Sequence, residues 1–97
     1  MYALAIIRYR RPIEEVLSHV DAHRAYLASL KAQGTLIASG PLDPRFGGAA
    51  LLREPDDHVL ERLDAVRDND PYAKAGVAQY ELLPWAVHTG KADLDKL

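Results

Sequence analysis

The sequence predicts an α+β protein of the ferredoxin-like βαββαβ pattern, a four-stranded antiparallel sheet with two main helices on one face. Three observations carry this. Four short apolar segments, each bounded by turn residues, are separated by stretches with helical spacing of apolar residues. Their order along the chain is β-α-β-β-α-β. A length of 97 residues suffices for one domain and not two, so residues 1–97 are expected to share one core.

"YALAIIRY" reads as a strand from Tyr2 to Tyr9. Its alternating faces, Leu4-Ile6-Arg8 and Ala3-Ala5-Ile7-Tyr9, are both largely apolar, so both call for a cover. Pro12 suits the first turn of a helix, and Glu14 and Glu15 suit the positive end of its dipole. Ile13, Val16, Val20, Leu27 and Leu30 then recur at helical spacing, and Gly34 suits a C-terminal cap. This predicts one helix from Pro12 to Ala32. "TLIASGPL" is a second strand stopped by Gly40-Pro41, "DPRFGG" is turn material and "GGAALLRE" is a third strand. A second helix opens at "EPDD", with Val59, Leu60, Leu63 and Val66 as its apolar face. "DNDPYAKAG" breaks that helix and starts a short new turn, and "GVAQYELLPW" is the last strand. The tail after Trp85, residues 86–97, is polar and expected to be loosely held. With both helices on one face of the sheet, a second copy of the chain is the simplest cover for the other, and a homodimer is expected.

Composition narrows the function. Nearly half the residues are hydrophobic, which argues against disorder. The formal net charge is −2 with no basic patch, so no nucleic-acid partner is expected. The absence of cysteine rules out disulfides, thiol nucleophiles and thiolate metal sites. In "MYALAIIRYRR" the charges follow the apolar run, which is also too short to span a membrane, so a cytoplasmic protein with no membrane partner is expected. No phosphate loop or nucleophile elbow is present, and no cofactor is expected.

His23 is the first candidate for chemistry. At helical angles it lies within the apolar stripe of Val16, Val20 and Leu27, where a leucine would pack better. Either it is a core histidine with satisfied ring nitrogens, or it is a general acid or base in a pocket between helix and sheet. His19 stands one turn earlier, a spacing that suits a metal, but no third ligand is evident and no metal site is expected. His58 and His88 read as surface residues. Asp70, before Pro71, has the place of a helix N-cap. That role is compatible with orienting an imidazole and stabilising its protonated form. Gly40-Pro41 and Gly47-Gly48 either only form turns or also let a ligand approach the backbone. Arg8, on an otherwise apolar strand, either snorkels to the surface or points into a cavity to hold an anionic group. Tyr26, Tyr72 and Trp85 read first as packing residues.

The chain resembles the YciI-like (YCII-related) family. The matching residues are "AHRAYL" on the first helix, "ASGPL" ending the second strand, and "DPYAKAGVAQYELLPW" near the end. In the last, Asp70-Pro71-Tyr72, Gly76 and Pro84-Trp85 follow the family's order and spacing, and the resemblance runs from Tyr2 to Trp85. It implies a dimeric α+β barrel and a cleft with a His–Asp dyad, here His23 and Asp70. Gly40-Pro41 matches the family's Gly-Pro. Arg8, Gly40, Pro41 and Tyr72 complete the candidate substrate contacts. Some relatives of this kind act on substituted aromatic rings, including by dehydrochlorination. The implied function is a small-molecule enzyme of lyase or isomerase type, and the alternative is a non-catalytic metabolite-binding or accessory module.

Overall fold

The computed structural model describes residues 1–97. Strands β1 (Tyr2–Tyr9), β2 (Leu36–Pro41), β3 (Gly47–Arg53) and β4 (Ala78–Trp85) form one antiparallel sheet in the order β2-β3-β1-β4. Helices α1 (Ile13–Leu17), α2 (Val20–Ala32), α3 (Val59–Asp68), α4 (Pro71–Lys74) and α5 (Lys91–Asp95) complete the chain. This is the predicted ferredoxin-like α+β arrangement. No helix is long and apolar enough to cross a membrane.

The alternation of β1 sets the two faces. Ala3 and Ala5 point to the helices and pack in a core with Leu30, Leu36, Ala50, Leu52, Leu63 and Val66. Alanine in the central strand lets the helices lie close to the sheet. Further along the same face, Ile7 meets Val16, Tyr72, Val77 and Ala78 in a second cluster. On the opposite face, Leu4 pairs across the sheet with Leu51 and Leu83, and Tyr2 with Trp85. That face is incompletely covered, leaving Leu83 41% and Trp85 42% exposed.

Two expectations are corrected. The helix predicted over Pro12–Ala32 is two helices, α1 and α2. Ser18 Oγ donates to Glu15 O at 2.6 Å, and His19 leaves helical geometry at φ −111° and ψ 6°. A serine side chain competing for a backbone carbonyl at a helix end has this effect. Apolar spacing continues across the break, which is why periodicity did not reveal it. The tail is also not loose. Val87 is buried, Tyr2 Oη donates to Asp95 at 2.5 Å, and Arg53 donates to the carbonyls of Leu94 and Leu97. The tail therefore covers the Tyr2 end of the open sheet face.

Two glycines are required by geometry. Gly34 follows α2 at φ +81°, while Thr35 N returns to Leu30 O, closing the helix end. Gly47 pairs with Arg8, and a Cβ there would stand 1.9 Å from Ile7 O. Gly40, by contrast, has open space where a Cβ would go. Gly47→Ala is expected to lower unfolding free energy by about 2–3 kcal/mol, the cost of overpacking against fixed backbone. Gly40→Ala is expected to stay within about 0.5 kcal/mol. Urea unfolding of the two variants checks this, and equal midpoints would contradict it.

Candidate active site

The site is built where α2, α4 and β4 meet. Asp70 opens α4, accepting from Tyr72 N at 2.9 Å, with Pro71 in the first turn as the sequence predicts. Its side chain is wholly buried. The same oxygen, Oδ1, lies 2.8 Å from His23 Nδ1 on α2. The second oxygen, Oδ2, accepts from the hydroxyl of Tyr80 on β4. A carboxylate is an acceptor only, so this donor set fits ionised Asp70. Nδ1 then carries a proton, so in the neutral ring the lone pair is on Nε2.

His23 Nε2 has no protein partner, yet no buried side-chain nitrogen or oxygen is left unsatisfied. Nε2 is therefore open to solvent, although the residue as a whole is only 9% exposed. It opens on a cleft of about 320 Å³ between α2 and the β2–β3 end of the sheet. The imidazole is held flat against Tyr72, with ring centres 3.8 Å apart and planes 5° from parallel. Tyr72 in turn meets Tyr9 edge-on at 6.2 Å. One hydrogen bond and one stacked ring thus fix the imidazole plane. By the same reasoning as for Nε2, the Tyr72 hydroxyl, which has no partner, also opens on the cleft. Burial and the neighbouring Tyr9 push that hydroxyl's pKa up, and Arg45 and Arg24 draw it partly back.

Gly40, Pro41 and Tyr72, the expected substrate contacts, line this cleft. Arg8 does not. Strand alternation sends Ile7 and Tyr9 to the cleft side and Arg8 to the other face, where it pairs with Glu81 at 3.0 Å. Arg24 and Arg45 line the cleft instead. Arg45 lies in the "DPRFGG" turn, and no periodicity pointed to it. Tyr80 was equally missed, although a tyrosine on the inner face of a strand signals a buried partner for its hydroxyl. His19 precedes α2 and does not line the cleft, and no three His, Asp or Glu side chains converge in the molecule.

Comparison with known proteins follows from this geometry. A family model described as the YCII-related domain matches residues 1–86. The chain belongs to the YCII-related family. Among solved structures, this YCII-related protein is similar to 5-chloro-2-hydroxyhydroquinone dehydrochlorinase (TftG) from Burkholderia phenoliruptrix AC1100, solved in complex with 2,5-dihydroxybenzoquinone. The TM-score is 0.72 at 24% identity, over 91% of this chain and 96% of the other, a likeness of fold. No functionally curated protein matches this YCII-related chain.

The tyrosines around Asp70 give a pH dependence. Burial, followed by the Asp70 charge, pushes the Tyr26 hydroxyl up to about 12, and the same causes in the same order push Tyr80 up further. A raised folded pKa means a contribution fully present below the unfolded value and lost as pH rises through the folded one. Stability is expected to fall from about pH 10 towards about pH 12, and Tyr26→Phe is expected to flatten that fall. Urea midpoints measured across this range check it, and parallel profiles for the two proteins would contradict it.

Proposed function

We propose that this YCII-related protein is a small-molecule enzyme of the lyase or isomerase type, working without an organic cofactor. His23 is the general acid–base and Asp70 its orienting partner. The observation that carries this is the division of the imidazole. Nδ1 is tied to a buried carboxylate, while Nε2 stands free on a solvent-connected cleft. A histidine held only for packing needs no ring nitrogen turned to a cleft, and its nitrogens are ordinarily paired within the protein. The likeness to a dehydrochlorinase supports the same chemistry.

In an elimination, Nε2 takes a proton from a carbon or hydroxyl of the substrate. The freed electron pair forms a new double bond, and a leaving group such as chloride departs with its own bonding pair. The imidazolium, stabilised by Asp70, then returns its proton to water, so the elements of HX are released. In an isomerisation the same proton goes back to a different carbon. Asp70 keeps Nδ1 protonated so that Nε2 is the basic atom.

Screening halogenated hydroquinones and small lactones tests the reading. His23→Ala and Asp70→Asn are each expected to lower kcat by on the order of 10²–10⁴-fold, the range for positioned acid–base groups. Turnover surviving His23→Ala unchanged would overturn the mechanism. Saturable binding without turnover would make the chain a metabolite-binding module.

The enzyme is proposed to act as a homodimer. Leu4, Ile6, Leu51, Leu83 and Trp85 lie on the sheet face away from the helices, and α5 covers only one end of it. A contiguous apolar patch of this kind marks an interface. Light scattering at micromolar concentration is expected to return the mass of two chains, and Leu83→Glu is expected to halve it. A one-chain mass for the unaltered protein would rule the dimer out.

A further inference from the structure

The charge of the cleft says what enters it. Its lining holds His23, Arg24 and Arg45 and no aspartate or glutamate. This is a cationic hollow in a chain whose formal net charge is −2. Of the other arginines, Arg8, Arg11, Arg62 and Arg67 each have a carboxylate within 3.8 Å, while Arg10 donates to the Gln79 amide oxygen and Arg53 to the carbonyls of Leu94 and Leu97. Arg24 and Arg45 have no such partner. Asp70 forms no ion pair with either, its oxygens being turned to His23, Tyr72 N and Tyr80.

The two guanidiniums come from different walls, Arg24 from α2 directly after His23 and Arg45 from the β2–β3 connection. Arg45 Nε donates to the Tyr9 hydroxyl at 3.4 Å, which leaves its two terminal nitrogens for a ligand. Ile7, Val20 and Leu27 supply apolar wall beside them. A cleft lined by one sign of charge with apolar walls concentrates ions of the other sign. Guanidinium forks suit a carboxylate or an acidic enolate.

We propose that Arg24 and Arg45 form an anion clamp and that the ligand of this cleft is a single-ring organic anion, its acid group on the arginines and its ring beside His23 and Tyr72. This rests on the reading of the cleft as a substrate site and adds the ligand's charge and the residues that hold it. The clamp also serves chemistry at Nε2, since removing a proton builds negative charge on the substrate, and fixed cations stabilise it.

Calorimetric titration with 2,5-dihydroxybenzoate and 2,5-dihydroxybenzamide tests the clamp, because the pair is similar in shape and differs in charge. The benzoate is expected to bind at least ~10-fold tighter, from one to two charge-assisted hydrogen bonds. Added salt is expected to shrink that preference. Arg24→Gln and Arg45→Gln are each expected to weaken benzoate binding about 10-fold, and together to abolish the preference. Both side chains are exposed, so these variants keep the fold. His23→Gln is expected to retain the preference. Equal affinity for the two compounds, no saturable benzoate binding at millimolar concentration, or an unchanged preference in the double variant would each overturn the clamp. Turnover dependent on His23 but indifferent to both arginines would sink the clamp alone. A clamp lost with the arginines, in a protein showing no turnover in the screen, would sink the enzymatic reading alone.

Discussion

The buried carboxylate of Asp70 is the junction on which the site depends. Three donors from three elements converge on it: His23 from α2, the backbone of Tyr72 in α4, and the Tyr80 hydroxyl from β4. A buried charge without partners would be costly, and removing one partner from such a set leaves the others exposed to that cost. The same interaction that closes a four-residue helix therefore ties two helices to an edge strand. The placement of the imidazole and the folding of α4 draw on one group here, so the position of His23 is a consequence of how the chain is assembled.

The sheet supplies the rest of the framework. Alternation in β1 sends alanines towards the helices and Ile7 and Tyr9 to the cleft, while Leu4 and Ile6 go to the far side. One strand thus contributes to core, cleft and open face at once. Gly47, whose Cβ would collide with Ile7 O, brings β3 tight against β1 beside the cleft. Tyr72 extends the ordering from the sheet side by stacking on His23 and meeting Tyr9 edge-on.

Much of this was legible in the residues. The bounds of β1 match the apolar run Tyr2–Tyr9, and the Asp70-Pro71 signal marked a helix start, while the pairing of Asp70 with His23 was implied by the family resemblance. The features that were not legible have physical reasons. The break between α1 and α2 comes from one side-chain-to-backbone bond at Ser18 and leaves the apolar spacing intact. The docking of the tail depends on Tyr2 and Arg53, residues far away in sequence, and on backbone carbonyls that no side-chain pattern reports. Arg8 was expected at a cavity because its neighbours are apolar, but strand parity placed it on the opposite face, against Glu81. Arg24 and Arg45 reach the cleft through tertiary folding alone.

The stacking of His23 on Tyr72 has a further consequence for how such a protein diversifies. The imidazole plane is locked by the core: a buried carboxylate on one side and an aromatic ring across its face. The arginines and the glycine–proline turn that shape the rest of the cleft are exposed and lie outside both hydrophobic clusters. Residues there can be exchanged with little change in folding free energy. A rigidly held imidazole can thus face different ligands while only the rim changes. The architecture separates the rigid part of the cleft from the part that tolerates exchange, and the same separation makes the rim the natural place to redesign it.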